Sequence, residues 1–141
     1  MSESAVSALV LDASSACNWL FNEDGRAAAS DKLLFDAEVV VPSLWQLELV
    51  QVLRRRERQL KSPPAETTAF IRSLDSLKVE VVPPPFGRTL TSHHALATRH
   101  RVSPYDAVYL QLALDRGLPL MTHDAKLARA ARAASVALVS A

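Results

Sequence analysis

Five short strand-like runs recur along this chain, and stretches with a helical spacing of apolar positions lie between them. The runs predict β-strands over residues 8–11, 38–41, 78–82, 118–121 and 136–139. The intervening spacing predicts helices over residues 14–21, from 25 onwards, 44–60, 66–77, 89–99, 105–116 and 125–134. Most of the strands are apolar throughout, which is typical of a parallel sheet covered on both faces. We therefore expect an α/β fold of three layers, with a central, five-stranded, mostly parallel sheet flanked by helices.

The length and composition of the chain fit one domain. Its 141 residues are 49% hydrophobic, which is enough for a single core. The triple proline 83–85 is a candidate linker, but the segment after it is short for an independent domain, so we treat residues 1–141 as one domain. The net charge of +1 excludes a strongly basic, histone-like mode of nucleic-acid binding and leaves room for a local basic patch.

The cellular compartment is predicted from what the sequence lacks. Its one cysteine, Cys17, excludes an internal disulfide and a cysteine-based zinc cluster, which favours a reducing cytosol. Residues 1–5 lack the basic region of a signal peptide, and the apolar runs are too short to span a bilayer. We expect a cytoplasmic protein with no membrane segment.

Four carboxylates follow strands or stand in early helix turns. Asp12 directly follows the first strand, and Asp124 follows the fourth. Asp106 opens one helix, and Glu48 lies in the first two turns of another. Functional groups of parallel sheets gather beyond the carboxyl ends of the strands, so we expect these acids to converge at one rim. Their mutual repulsion would be relieved by a hard cation, Mg²⁺ or Mn²⁺, which activates water for attack on a phosphodiester.

Local roles could also explain three of the acids. Asp12 and Asp124 could each cap the helix that follows. Asp106 could belong to a capping box that begins at Ser103. Glu48 is harder to explain in this way, because it stands in the apolar stretch 44–50.

The helix around Glu48 is expected to be largely buried. One of its faces carries Trp45, Leu49, Val52 and Leu53, and a second apolar sector carries Leu47 and Val50. A carboxylate in such a helix faces an interior crevice and needs a partner there, because burial of an unpaired charge is costly.

A basic stretch ends the same helix. Residues 54–61 hold five basic residues and one acid, which suits either a solvated helix end or a surface that tracks phosphates. Gln51 and Arg55 lie on the stripe of Glu48, and with Arg58 they are candidate RNA contacts. The four histidines are expected at the surface, with His123 the one beside a candidate site residue. Cys17 is expected to be a small buried side chain.

Four segments of the chain together resemble the PIN-domain ribonucleases, and most closely the VapC toxins of bacterial toxin–antitoxin pairs. The segments are LVLDAS at 9–14, PSLWQLE at 42–48, YDAVYLQLA at 105–113 and LMTHDAKL at 120–127. They occur in the order and at the separations of that family and cover nearly the whole chain. The resemblance implies a PIN-like fold and a site of Asp12, Glu48, Asp106 and Asp124, with Ser14 and Thr122 as supporting hydroxyls.

The resemblance also implies an activity and partners. These are Mg²⁺- or Mn²⁺-dependent endoribonuclease activity that leaves a 5′-phosphate and a 3′-hydroxyl, homodimerisation, and inhibition by a cognate VapB-like antitoxin. Such an antitoxin wraps an apolar groove and often places a basic side chain in the acidic site. Two positions depart from the family pattern: Gln51 stands where many relatives have Asn, and His123 stands where many have Asn or a small residue.

Other readings of an acid at a sheet rim fit less well. A haloacid-dehalogenase-type phosphatase needs a second Asp where Ser14 stands, and a receiver domain needs a different set of acids and a late lysine. The chain has three glycines, and none has the spacing of a dinucleotide-binding turn, so a dinucleotide-binding fold is excluded. The serious alternative is a catalytically silent PIN-like module that binds RNA or a protein.

Overall fold

The computed structural model describes residues 6–140. Residues 1–5, on which the prediction about a signal peptide rests, lie outside the described part. The strands are β1 (Ala8–Leu11), β2 (Glu38–Pro42), β3 (Lys78–Val82) and β4 (Leu120–Met121). The helices are α1 (Ala13–Phe21), α2 (Ala27–Asp36), α3 (Leu44–Gln59), α4 (Pro64–Asp75), α5 (His94–His100), α6 (Pro104–Arg116) and α7 (Ala125–Ala133), with a π-helical turn at Thr89–His93 before α5.

The four strands form one parallel sheet in the order β3-β2-β1-β4. Within it, Val10 pairs with Val40 of β2 on one side and with Leu120 of β4 on the other. The chain leaves β1 toward β2 and β3 and returns on the opposite side of β1 to form β4. Strand order therefore reverses beside β1, and the carboxyl ends of β1 and β4 border the crevice where sheets of this kind place their sites.

The predicted fifth strand is reduced to a single bridge, so the prediction of five strands was wrong within the described residues. Leu138 forms one parallel bridge with Leu120. The neighbouring strand, β4, begins only at Leu120, so it offers few backbone groups with which the last segment could pair. Pro119 has no N–H for a ladder, although its carbonyl accepts a hydrogen bond from Val10 N at 2.9 Å.

Helices cover both faces of the sheet, as predicted. Leu9, Val10 and Leu11 of β1 are all fully buried. Because successive strand side chains point to opposite faces, such burial requires cover on both. Helix α6 packs on β1, β2 and β4 with α5 and α7 beside it, and α3 packs on β2 with α1 and α4 beside it. The predicted α/β fold is confirmed.

Helix α3 is less buried than its composition suggested. Trp45, Leu49 and Leu53 are buried, but Leu47 is 69% and Val50 is 51% exposed. Both apolar sectors of α3 have a helical spacing. The sheet and the neighbouring helices cover only the sector that carries Trp45, Leu49 and Leu53. Ser43, the residue before α3, makes no capping hydrogen bond with its side chain. Over residues 6–140, no helix combines the length and apolar character that membrane crossing requires.

Candidate active site

Asp12 lies at the carboxyl end of β1 and is only 6% exposed. Its Oδ2 atom accepts hydrogen bonds from Ser14 Oγ at 2.7 Å and from Thr122 Oγ1 at 2.6 Å. Asp12 precedes α1, but its side chain makes no capping hydrogen bond there. Burial raises the pKa of this carboxyl, while the two hydroxyl hydrogen bonds oppose the rise. A helix-capping role therefore does not account for the buried carboxylate.

The loop between β4 and α7 is tied to Asp12 by hydroxyl and backbone groups. His123 N donates to Ser14 Oγ at 3.0 Å, and Asp124 N donates to Thr122 Oγ1 at 3.0 Å. Ser14 and Thr122 are themselves 3.3 Å apart. The two loops that follow β1 and β4 thus form one hydrogen-bonded unit at the rim of the sheet.

Asp124 caps α7, as its local pattern predicted. Its Oδ1 atom accepts from Lys126 N at 2.8 Å and from Leu127 N at 3.3 Å. The cap does not remove Asp124 from the acidic rim, because its charge raises the pKa of both Asp12 and Asp106. Asp124 therefore combines the capping role with a place beside the other acids.

Asp106 approaches this rim from the first turn of α6. Ser103 caps that helix by accepting from Asp106 N at 3.1 Å, with Pro104 in the first turn. The Asp106 side chain is partly buried. Burial, and then the charges of Asp124, Asp12 and Glu48, raise its pKa to about 6. The charges of all three other predicted acids therefore act on the Asp106 carboxyl.

Glu48 is held by a tyrosine that sequence reasoning did not assign to the site. Tyr109 donates its hydroxyl to Glu48 Oε1 at 2.5 Å, and it is only 1% exposed. Burial raises the pKa of Glu48, and the hydrogen bond from Tyr109 opposes that rise. Burial and the nearby Glu48 also raise the pKa of Tyr109, so it stays a donor. A weak sequence signal existed: Tyr109 shares a helix face with Asp106, and a buried tyrosine hydroxyl needs a partner.

The donor chemistry of the rim fits a hard divalent cation. Every side-chain donor there is a carboxylate or hydroxyl oxygen, the type that Mg²⁺ and Mn²⁺ prefer. Over residues 6–140, no three His, Cys, Asp or Glu side chains are yet arranged to hold a metal ion. The side-chain hydrogen bonds described above use Oδ2 of Asp12, Oε1 of Glu48 and Oδ1 of Asp124. The second oxygen of each carboxylate takes no part in these hydrogen bonds. These remaining carboxylate oxygens are the ones that would hold a cation.

The histidines differ from one another in their surroundings. His123 Nδ1 lies 2.7 Å from the hydroxyl of the fully buried Ser15, and its Nε2 lies 3.8 Å from Asp24 Oδ2. His93 is only 6% exposed, with Nδ1 3.4 Å from the carbonyl of Arg88. The prediction that all four histidines lie at the surface was therefore wrong for His93.

The predicted RNA contacts Gln51, Arg55 and Arg58 line a cavity whose lining includes none of the four acids. We call it the α3 surface; its volume is about 380 Å³, and it is lined by Leu47, Val50, Gln51, Arg54, Arg55, Arg58 and Gln59. Arg56 of the same basic stretch has another use. Its guanidinium lies 3.9 Å from the centre of the Phe21 ring and 3.7 Å from Glu66, so it fastens α3 to α1 and α4.

Comparisons with known proteins agree with this architecture. Residues 9–133 match the family model described as PIN domain, and these domains are in general metal-dependent nucleases. No curated protein sequence matches the chain significantly. Among solved structures, the chain resembles PAE2754 from Pyrobaculum aerophilum with a TM-score of 0.63 and 23% identity, over 89% of this chain and 85% of that one. That likeness supports the fold, and the family match covers most of the chain. The chain therefore belongs to the PIN domain family.

Proposed function

We propose that this chain is an Mg²⁺- or Mn²⁺-dependent endoribonuclease that hydrolyses phosphodiester bonds of cytoplasmic RNA. The observation that carries the proposal is the convergence of four acids on one rim. It is most evident at Asp106, whose pKa rises to about 6 through burial and the charges of Asp124, Asp12 and Glu48. Carboxylates that repel one another in this way are typical of a site that a cation completes.

Each acid has a proposed role. Asp12, Asp106 and Asp124 would hold the cation, directly or through water, and Glu48 would complete the cluster or orient the attacking water. Ser14 and Thr122 hold the Asp12 carboxylate from its Oδ2 side, and Tyr109 holds Glu48. When bound, the cation supplies a lower pKa for water and neutralises charge on the phosphate.

We further propose that the nuclease is the toxin of a type II toxin–antitoxin pair of the VapBC kind. The α3 surface supports this, because it exposes Leu47 and Val50 beside three arginines. An apolar strip next to cations suits a protein segment with apolar anchors and acidic flanks, such as a VapB-like antitoxin. The same arginines could serve RNA when the antitoxin is absent. A homodimer is part of the proposal.

Cleavage of RNA by the purified chain, freed of any partner, tests the activity. We expect total cellular RNA to be cut with Mn²⁺ or Mg²⁺, to stay intact with EDTA, and to stay intact with Asp106→Asn. Glu38→Gln is the matched control, because it removes the same charge from an exposed strand residue away from the rim. Products should end in a 5′-phosphate and a 3′-hydroxyl. Products with a 2′,3′-cyclic phosphate would contradict the mechanism, since they require attack by the ribose 2′-hydroxyl.

One observation favours a second candidate, a silent module that binds RNA or protein without cutting. It is that no three metal-ligating side chains are yet arranged around a common point in residues 6–140. Binding of RNA without metal-dependent cleavage, unchanged by Asp106→Asn, would favour this candidate. The toxin role has its own test: expression should arrest growth for the active chain and not for Asp106→Asn, and co-expression of the cognate antitoxin should restore growth.

A further inference from the structure

A small polar cavity lies beside the acidic rim, and neither the acids nor the α3 surface uses it. Its volume is about 170 Å³, and its polar lining residues include Asn18, Asp24, Arg26, Ser30, Thr122 and His123. We call it the side cavity. Thr122 belongs both to this lining and to the hydrogen bond with Asp12 Oδ2, at 2.6 Å. The side cavity therefore adjoins the place where a scissile phosphate would lie.

Two of its lining side chains, His123 and Asp24, are held in place by hydrogen bonds within the protein. The hydroxyl of the fully buried Ser15 lies 2.7 Å from Nδ1 of His123, so the imidazole ring is anchored at one edge. Asp24 Oδ1 accepts from Arg26 N at 2.9 Å, which fixes the turn before α2. Asp24 Oδ2 lies 3.8 Å from His123 Nε2, beyond hydrogen-bond distance. Preorganised polar groups around a concave site reduce the cost of ordering a ligand.

The chemistry of the lining matches an unpaired nucleobase. Single-stranded RNA is read through bases that splay out, stack on aromatic rings including histidine, and form hydrogen bonds along their edges. Here the His123 ring, whose side chain is 41% exposed, offers the stacking face. Asp24 offers an acceptor for base N–H groups, and Arg26 offers donors for base oxygen and ring nitrogen atoms.

We infer that the side cavity binds a nucleobase of the RNA next to the phosphate that the acids act on. The inference rests on the proposed ribonuclease function and adds a source of sequence preference to it. Guanine is the base we expect, since it presents N–H donors at N1 and N2 together with acceptors at O6 and N7. The aromatic ring, the carboxylate and the guanidinium then have complementary partners on one ligand.

The test is the base composition around the cleavage point. Single-stranded RNA of randomised sequence is cut with Mn²⁺ by the wild type, Asp24→Asn, Arg26→Gln and Glu23→Gln, and the product ends are sequenced. Asn keeps an oxygen for the Arg26 N–H but replaces the second acceptor with a donor. Glu23→Gln is the matched control, because it removes one charge from the exposed neighbour of Asp24 that does not line the cavity.

We expect guanine to be enriched at one position beside the cut in the wild type and in Glu23→Gln. Asp24→Asn should reduce that enrichment by about fivefold or more, in the range of one base-edge contact. Arg26→Gln should reduce it as well. An identical base profile in the wild type and both cavity variants would overturn the inference while leaving the nuclease itself established.

Absence of metal-dependent cleavage by the wild type would count against the proposed function rather than against the cavity. Fluorescence anisotropy in EDTA then decides, with labelled single-stranded oligonucleotides that differ at one base. Tighter binding of the guanine-containing oligonucleotide by the wild type, lost in Asp24→Asn, would support the side cavity. Equal binding of all bases by the wild type would overturn it.

Discussion

Removal of one acid from the rim should stabilise the metal-free protein. In Asp106→Asn the amide keeps the shape of the side chain and removes its charge. The pKa of Asp106 is raised from its ordinary 3.8 to about 6, so the folded state disfavours the charged carboxylate. Two pKa units correspond to about 3 kcal/mol. Because the side chain is only partly buried, solvent screening reduces this to about 1–2 kcal/mol.

The stabilisation by Asp106→Asn should increase as the pH rises. At pH values well below 3.8 the carboxyl is protonated in both the folded and the unfolded chain, so Asp and Asn behave alike. The penalty on the charged form grows between the unfolded pKa of 3.8 and the folded pKa of about 6, and it is complete above that value. The stabilisation by Asp106→Asn should therefore be absent in acid and fully present at neutral pH.

Urea denaturation in EDTA measures this difference. The free energy of unfolding of the wild type, Asp106→Asn and Glu38→Gln is compared at neutral pH and at about pH 3, well below the unfolded pKa. Excess Mn²⁺ should then stabilise the wild type more than Asp106→Asn, because a cation that binds only the folded state raises its stability. A neutral or destabilising effect of Asp106→Asn at neutral pH, or a gain equal to that of Glu38→Gln, would refute the reasoning that burial and the neighbouring acids disfavour the charged form of Asp106.

Three further predictions test other parts of the structure. Tyr109→Phe should lower the free energy of unfolding by about 1–3 kcal/mol in urea, because Glu48 loses a buried donor; an unchanged value would argue against that hydrogen bond. Cys17 should react slowly with iodoacetamide in the folded protein near neutral pH, since burial raises the pKa of its thiol to about 11. The urea-unfolded chain should react quickly, and equal rates for the folded and unfolded chains would contradict this prediction. Ser103→Ala should destabilise α6 by about 1 kcal/mol, measured by thermal unfolding, because the Asp106 N–H loses its cap; Ser103→Asp should retain most of the stability.

Much of the site was accessible from the sequence because of where the acids stand relative to the strands. An apolar run that ends on Asp12 places that residue at the carboxyl end of β1, and the same logic places Asp124 after β4. Parallel pairing then brings both to one rim, although more than a hundred positions separate them in the chain. The caps at Ser103 and Asp124 follow local patterns and were also predictable.

Contacts between distant elements were not accessible in this way. Tyr109 and Glu48 lie 61 positions apart on different helices, and no local pattern pairs them. The two apolar sectors of α3 have equivalent spacing, so only the packed structure shows that Leu47 and Val50 remain exposed. The last predicted strand is reduced to one bridge because of Pro119 and the short β4. The periodicity of the sequence alone does not show either effect.

The hydrogen bond between Asp12 and Thr122 spans 110 positions of the chain, so it determines when the acidic rim can be completed during synthesis. While a ribosome is still translating the first hundred residues, the acid after β1 has neither its hydroxyl partner nor Asp124. A nascent or truncated chain therefore carries an incomplete acidic rim. Under the proposed function, RNA near the translating ribosome would be spared until the C-terminal segment emerges and folds, and a protein partner would have that interval in which to bind the chain.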